Sequence, residues 1–289
     1  MSCCVEVRRA RPLLGTIVEV TAGGASRRRL IEAVDGAFAR VQRVHALMSF
    51  HGSDSDVSRL NREAHRRSVA VHPWTHRVLR AAQRIAARTD GLFDCTVAPS
   101  LVRWGYLPQH RFGRATDGTW RDIACLSGRR VRFRRPVCID LGGIAKGFAV
   151  DQAVEALQRR GAAWGCVNAG GDARVFGRRR HTVHLRDPIH PGAFHVLRDL
   201  PATALATSAT YFSRKRLGRR RLAPIVHPST DRPYDSAASV SVFASRCLVA
   251  DALTKPVLLS DRPDAILQRF NARAVVLTPA AARSGCSAS

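Results

Sequence analysis

The amino-acid sequence predicts an α+β fold. Stretches of alternating polarity and stretches of 3.6-residue apolar period follow one another without a regular βαβ rhythm, which argues against a doubly wound sheet. Hydrophobic residues make up 45% of the 289 residues, enough to bury a core and too many for a disordered chain. Neither an internal repeat nor a low-complexity linker divides the sequence, and the length suits one large domain or two small ones.

The elements follow in order. Thr16 to Thr21 alternates and is expected as the first strand. Arg28 to Met48 places Leu30, Ile31, Val34, Phe38, Val41, Val44 and Met48 at helical spacing, with Gly36 a weak point. Ser49 to Asn61 is polar and turn-rich and reads as a loop. Pro73 to Arg88 is expected as a second amphipathic helix, and Gly91 to Tyr106 as a loop holding an apolar segment and Trp104. After a basic stretch, Val137 to Asp140 reads as a short buried strand. Gly142 and Gly143 turn the chain into a helix from Phe148 to Arg160, which Gly161 ends. Gly165 to Asn168, Ala173 to Phe176, Thr182 to Leu185, Ala204 to Thr207, Val240 to Phe243 and Ala274 to Leu277 read as strands. Leu248 to Leu259 reads as a helix that Pro256 must bend or restart.

Charge and cysteine content narrow the function classes. Forty-seven Lys or Arg against 22 Asp or Glu give a formal net charge of +25, which favours acidic partners. No nucleic-acid motif accompanies the charge, and scattered arginines such as Arg84, Arg88, Arg159 and Arg160 read as a solvated surface, so sequence-specific nucleic-acid binding is not expected. None of the eight cysteines forms a CxxC pair, which argues against zinc; Cys138 and Cys166 read as reduced core thiols. No stretch approaches the roughly 18 apolar residues of a membrane span. Arg8, Arg9 and Arg11 are followed by no apolar run, so a secretory signal is not expected and the assignment is cytoplasmic.

The most informative segment runs from Cys138 to Asp151: a strand ending in Asp140, the Gly142-Gly143 turn, Lys146 at the first helical turn. Glycines admit close approach of backbone N–H groups, a helix N-terminus favours phosphate, and a lysine adds a point charge. This reads as a diphosphate cradle, although the spacing matches neither G-x-G-x-x-G nor the Walker loop, and a bare strand-to-helix turn is the bland alternative. Asn168 to Asp172 is a second glycine turn, as well explained by a plain hairpin as by a ligand. Asp251, Thr254 and Lys255 share a helix face. A carboxylate and a hydroxyl suit Mg²⁺, but an ordinary i,i+4 ion pair is the commoner meaning. Asp94 and Thr96 lie in an apolar loop, and His51 in a polar one, where a solvated histidine is the usual outcome. No G-x-S-x-G elbow or H-E-x-x-H pair accompanies the eleven histidines.

Taken in order, these segments resemble the FAD:protein FMN transferase (ApbE) family. The matching pieces are Leu14-Gly15-Thr16, Met48-Ser49 with Asp54-Ser55 to Asn61, Asp90 to Asp94 with Thr96-Val97, and Trp104-Gly105. Then come Asp140 to Gly147, Val167 to Asp172, Ala206-Thr207-Ser208 and Ala250 to Leu253. They cover about residues 10 to 280, leaving 1–9 and 281–289 as an extension and a tail expected to be flexible. The resemblance implies a single α+β domain, a mixed sheet packed with helices, that binds FAD and Mg²⁺. It implies cleavage of the FAD diphosphate and transfer of FMN, through a phosphoester, to a Thr or Ser hydroxyl of an acceptor flavoprotein, with release of AMP. Acceptors in the family are subunits of membrane redox complexes, and exported or lipid-anchored members make a periplasmic or membrane-associated location the alternative.

By the same resemblance Asp140 and Lys146 contact FAD, and Leu14, His51, Leu92, Phe93 and Asp94 line the flavin and adenine sites. Asn168 and Ile225 complete the cofactor-binding set, while the Gly143 carbonyl and Asp251 bind Mg²⁺ with Thr254 beside them. Three departures stand out. The family's Thr four residues after the metal aspartate is Lys255, an ammonium that replaces part of the metal's charge or weakens Mg²⁺ binding. The family's His-Ile-Ile-Asp-Pro-x-Thr-Gly reads Pro224 to Asp231, so His227 becomes the candidate general base. The family's Thr-Ser-Gly-Asp reads Thr207 to Thr210. A relative that binds or hydrolyses FAD without transfer, and a basic nucleic-acid-binding protein, are the alternatives.

Overall fold

The structure is a computed structural model that describes residues 5–110, 112, 117–188, 190, 192–210, 214–217, 220–234 and 236–278. In chain order the elements begin with β1 (Val5–Leu13), β2 (Thr16–Gly24), α1 (Arg27–Met48), α2 (Asp56–Glu63), β3 (Val69–Ala70), α3 (Pro73–Arg88) and α4 (Ala98–Arg103). They continue with β4 (Ile123–Leu126), β5 (Arg130–Phe133), α5 (Ala145–Arg159), β6 (Trp164–Ala169), β7 (Asp172–Phe176), β8 (His181–Arg186), β9 (Phe194–Leu200) and β10 (Thr203–Ala209). The last are β11 (Lys215–Leu217), β12 (Arg220–Leu222), β13 (Val226–His227), β14 (Arg232–Pro233), β15 (Ser239–Ala244), α6 (Cys247–Leu259), α7 (Pro263–Arg269) and β16 (Arg273–Leu277).

Seven strands form the main sheet in the order β1-β2-β6-β7-β10-β15-β16. The α+β expectation holds; the sheet expected to be mixed is antiparallel at every pairing. Helices α1, α5 and α6 pack against it, with α5 also packed on both α1 and α6. Helix α1 turns Leu30, Ala33, Val34, Ala37, Phe38, Val41, Val44 and Met48 inward, the stripe its sequence period demands. A second, smaller apolar cluster joins Ala173, Leu185, Leu205 and Phe243 to Val183 and Leu197 of the β8–β9 hairpin. No helix among the described residues is long and apolar enough to cross a membrane.

Several expectations need correction. Of the extension expected to be flexible over 1–9, residues 5–9 belong to strand β1, which is in register with β2 from Val5 opposite Gly24 to Leu13 opposite Thr16; residues 1–4 and the tail expected over 281–289 lie outside the described residues. Its arginines hide the strand signal because they make ion pairs at a sheet edge: Arg9 and Arg11 reach Asp35 at 3.0 and 2.8 Å, and Arg8 reaches Glu19 at 3.1 Å. The loop read over 49–61 ends at Ser55, whose hydroxyl accepts the Ser58 N–H and starts α2. The loop read over 91–106 contains α4, started by Pro99. Helix α5 begins three residues before Phe148, and α6 runs through Pro256 as one helix. The strand expected over 137–140 pairs with no other strand. Burial holds Cys138 and Cys166 as thiols, pushed up to about 12 and about 11.

Candidate functional site

The segment 137–140 is extended because a side chain, not a strand, satisfies it. The amide of Asn61 on α2 accepts the Ile139 N–H at 2.8 Å and donates to the Ile139 carbonyl at 2.9 Å. The next N–H, of Asp140, reaches the Cys95 carbonyl at 2.8 Å. Held on both sides, the chain delivers Asp140 at the head of the glycine turn. The Asp140 carboxylate folds back over its own turn and accepts N–H groups of Gly142 and Leu141. A Cβ on Gly142 would lie 2.9 Å from Asp140 Oδ2, so only glycine permits that approach without a shift. Burial pushes the Asp140 carboxyl up, while the Gly142 N–H, His51 and Lys255 pull it back.

Helices α5 and α6 cap one another. Asp251 of α6 accepts the Gly147 N–H at 3.1 Å in the first turn of α5. Asp151 of α5 accepts the N–H groups of Cys247 and Leu248, each at 3.1 Å, in the first turn of α6. Neither helix has a side-chain cap of its own, so these carboxylates take the orphan donors. Arg174 binds Asp151 at 2.7 Å and balances its buried charge. A Cβ on Gly147 would lie 2.2 Å from the Cys247 carbonyl oxygen; the close helix contact requires this glycine.

Lys146, next to Gly147, pairs with Asp172 at the start of β7. The turn that presents Asp172 is closed by Asn168, whose Oδ1 accepts the Gly171 N–H at 3.0 Å. Burial alone would lower the Lys146 ammonium, but Asp172 and Asp251 outweigh it and raise it. Asp172 is pushed up to about 6 by burial, against the pull of Lys146 and with a further push from Asp251. Asp251 is lowered: burial opposes its charge, and Lys255 and Lys146 override that cost. Three carboxylates and two ammoniums thus gather around one glycine turn.

The Mg²⁺ expectation meets a different arrangement. Lys255 Nζ lies 2.9 Å from Asp251 Oδ1, 3.2 Å from the Asp251 carbonyl and 3.5 Å from the Gly143 carbonyl. The Asp251 carboxylate and the Gly143 carbonyl are the groups the resemblance gives to the metal. Thr254 is fully buried; its hydroxyl donates to the Asp251 carbonyl and accepts from Ser208, both at 2.8 Å. Among the described residues no group of three or more His, Cys, Asp or Glu is arranged for a metal. The residues present fit an ammonium, not a resident divalent ion, so no chemistry is routed through one.

A two-lobed cleft opens above this cluster. One lobe, of about 460 Å³, is lined by Leu14, Val44, Met48, Phe50, His51 and Ala145, among others. The other, of about 390 Å³, is lined by Leu92, Phe93, Asp94, Tyr106, Gly143, Thr207, Ser208, Ile225 and Lys255, among others. The lobes share Leu107, Asp140, Gly142 and Lys146. A largely apolar chamber and a more polar one, joined over a glycine turn and a lysine, suit a ligand with two flat rings linked by a charged middle.

Leu14 forms the β1–β2 turn with Gly15, and both are left-handed, at φ 57° and 72°. Such two-residue hairpins need positive φ at both positions, and a leucine there is strained. Asp94 reaches the cleft edge with its oxygens committed: Oδ1 accepts the Thr96 N–H and hydroxyl, each at 2.8 Å, and Oδ2 accepts the Trp120 N–H at 3.0 Å. It shapes the loop that carries Leu92 and Phe93. Asn168, His227, Asp251 and Thr254 line neither lobe. Asn168 sets the turn under Lys146, Asp251 and Thr254 lie behind Lys255 and Ser208, and His227 pairs through Nδ1 with the Ser229 hydroxyl at 3.2 Å. Asn61, Asp151 and Gly147 are the positioning residues that went unassigned. All three fall inside segments quoted from the sequence, but their partners lie 78 to 104 residues away.

Comparison with known proteins agrees with the fold. The sequence profile of the ApbE family matches residues 14–276. The chain is 28% identical over 283 residues to the FAD:protein FMN transferase of Rhodobacter capsulatus, covering 91% of this chain and 54% of that protein. It therefore spans about half the length of that relative. It is also 28% identical over 246 residues to the FAD:protein FMN transferase of Vibrio cholerae, covering 76% of this chain and 70% of that one. The crystal structure of the ApbE protein from Thermotoga maritima matches with a TM-score of 0.83 and 26% identity over 94% of each chain. With the profile spanning nearly the whole chain, the protein belongs to the ApbE family.

Proposed function

We propose that this chain transfers FMN from FAD to a Thr or Ser hydroxyl of an acceptor flavoprotein, releasing AMP. One observation carries the reading: two ring-sized lobes meet over Asp140, Gly142 and Lys146, where a dinucleotide's diphosphate would lie. The names of the relatives, FAD:protein FMN transferase, support it.

In the proposed step the acceptor oxygen attacks the phosphorus that carries the ribityl chain. The new P–O bond forms as the bond to the bridging oxygen breaks. AMP leaves with that electron pair, and the hydroxyl proton is released. Phosphoryl transfer has a loose transition state, so positioning and charge matter more than a strong base. Lys146, beside the Gly142-Gly143 turn, would hold the diphosphate oxygens, and the lobes would fix the rings and exclude water. His227, turned to Ser229 and outside both lobes, is given no proton-transfer role. Lys255 lines the lobe beside Gly143 and would face the same phosphates. The acceptor class we propose is a flavoprotein subunit of a membrane redox complex.

The test is to incubate the purified chain with FAD and an acceptor domain bearing a Thr-containing flavinylation motif. Intact mass and in-gel flavin fluorescence would show FMN, less one water, on the acceptor, and AMP in the supernatant. Acceptor that stays unlabelled while FAD binds would reduce the proposal to flavin binding alone.

A further inference from the structure

We propose that the Lys255 ammonium is itself the cation of this site, standing in place of a divalent ion. Its consequence for catalysis, flavin binding and transfer without added metal, rests on the function proposed above; the exclusion of a metal does not.

The geometry is specific. Lys255 Nζ meets Asp251 Oδ1 at 2.9 Å, the Asp251 carbonyl at 3.2 Å and the Gly143 carbonyl at 3.5 Å. A Mg²⁺ ion sits about 2.1 Å from its oxygens and demands near-octahedral surroundings. An ion on Asp251 Oδ1 and the Gly143 carbonyl would have to enter the space between them that the ammonium fills, against its positive charge. The other Asp251 oxygen is taken by the Gly147 N–H at 3.1 Å.

The lysine is held, not merely near. Its side chain is 22% exposed and Asp251 is 1% exposed. Its stem packs along the glycine turn: a Cβ on Gly143 would already lie 3.4 Å from Lys255 Cε and 3.6 Å from Nζ. Spacing i,i+4 on α6 places the two charges together before any tertiary contact forms. Lys255 also lines the cleft, and its longest contact, to Gly143, is the one a phosphate oxygen would replace. An ammonium with three donors can bridge Asp251 and an incoming diphosphate as a divalent ion would, with one unit of charge instead of two.

The experiment is a Mn²⁺ titration followed by electron paramagnetic resonance, on the metal-free wild type and on Lys255→Thr, each checked for folding by circular dichroism. FAD binding is then read by flavin fluorescence with and without EDTA. The wild type should leave Mn²⁺ free and bind FAD equally well in EDTA. Lys255→Thr should hold one Mn²⁺ per chain, displaced by Mg²⁺, and its FAD affinity should fall tenfold or more in EDTA. A wild type that holds one Mn²⁺ displaced by Mg²⁺ overturns the proposal; that result needs no variant, so a misfolded Lys255→Thr leaves the test intact. If neither folded protein holds Mn²⁺, with or without FAD, these oxygens are not a cation site and the proposal fails. Absence of FAD binding alongside the expected Mn²⁺ pattern would refute the proposed function and leave the cation assignment standing.

Discussion

Two helical glycines should respond in opposite directions to alanine. At Gly147 an added Cβ meets backbone: the Cys247 carbonyl oxygen at 2.2 Å and its carbon at 2.6 Å. Ordinary contact begins near 3.4 Å, so α5 and α6 would have to part by about 1 Å, because a buried backbone cannot swing aside. Overpacking of this kind costs about 1–3 kcal/mol. Losing the Gly147 N–H bond to the buried Asp251 carboxylate adds about 1.5–3 kcal/mol. The better helix propensity of alanine returns about 1 kcal/mol. A net loss of about 3 kcal/mol corresponds, in a chain of this size, to a fall in Tm of about 5 °C. At Gly36 the added Cβ meets only the guanidinium of exposed Arg160, at 2.9 Å, which can move. Gly36→Ala should therefore stabilise by about 0.5–1 kcal/mol. Differential scanning calorimetry of both variants, with FAD binding by fluorescence quenching, is the assay. Gly147→Ala should also weaken FAD binding, because Asp251 and Lys255 move with α6. Wild-type Tm and FAD affinity in Gly147→Ala, or destabilisation by Gly36→Ala, would refute the reasoning.

Three more perturbations follow from the same geometry. Asn61→Ala removes both partners of Ile139, and urea unfolding should show a loss of about 2–4 kcal/mol with weakened FAD binding, since Asp140 follows in the chain. Asp151→Ala strips two N–H groups of α6 and leaves Arg174 unpaired; a loss of about 3–5 kcal/mol is expected, and a loss below 1 kcal/mol would contradict the reciprocal capping. Asp172 titrates near 6 in the folded chain, above its unfolded value. Its contribution to stability is therefore complete below about pH 4 and lost as pH rises through about 6. Unfolding free energies of wild type and Asp172→Asn from pH 4 to 7 should diverge across that window, and parallel curves would refute the shift.

What the sequence made legible, and what it hid, has a physical pattern. Helices α1 and α3 were plain because their apolar residues recur at 3.6 spacing over 22 and 16 residues. Strand β1 is hidden in the sequence because its arginines look like a solvated tail until Asp35 and Glu19 are placed opposite them. The run at Ile139 is extended as its composition predicts, but it joins no sheet, since its partner is the side chain of Asn61. In the site, Asp140 and Lys146 sit together because they share one turn. The roles of Asp151, Asp172 and Gly147 depend on helix and strand contacts that no local pattern encodes. Motif position alone points to His227, and a two-residue strand leaves it outside both lobes. Lys255 is the instructive case: its helical spacing with Asp251 is visible in the sequence, but only the fold brings its Nζ between Asp251 and the Gly143 carbonyl, at 2.9 and 3.5 Å.

The most direct test of the account is a crystal structure of the chain with FAD bound. It should show the diphosphate within hydrogen-bond reach of Lys146 Nζ and against the Gly142-Gly143 turn, with one ring system in the lobe beside Leu14 and His51 and the other in the lobe beside Phe93 and Ile225. FAD bound with its diphosphate away from Asp140, Gly142 and Lys146 would contradict the account.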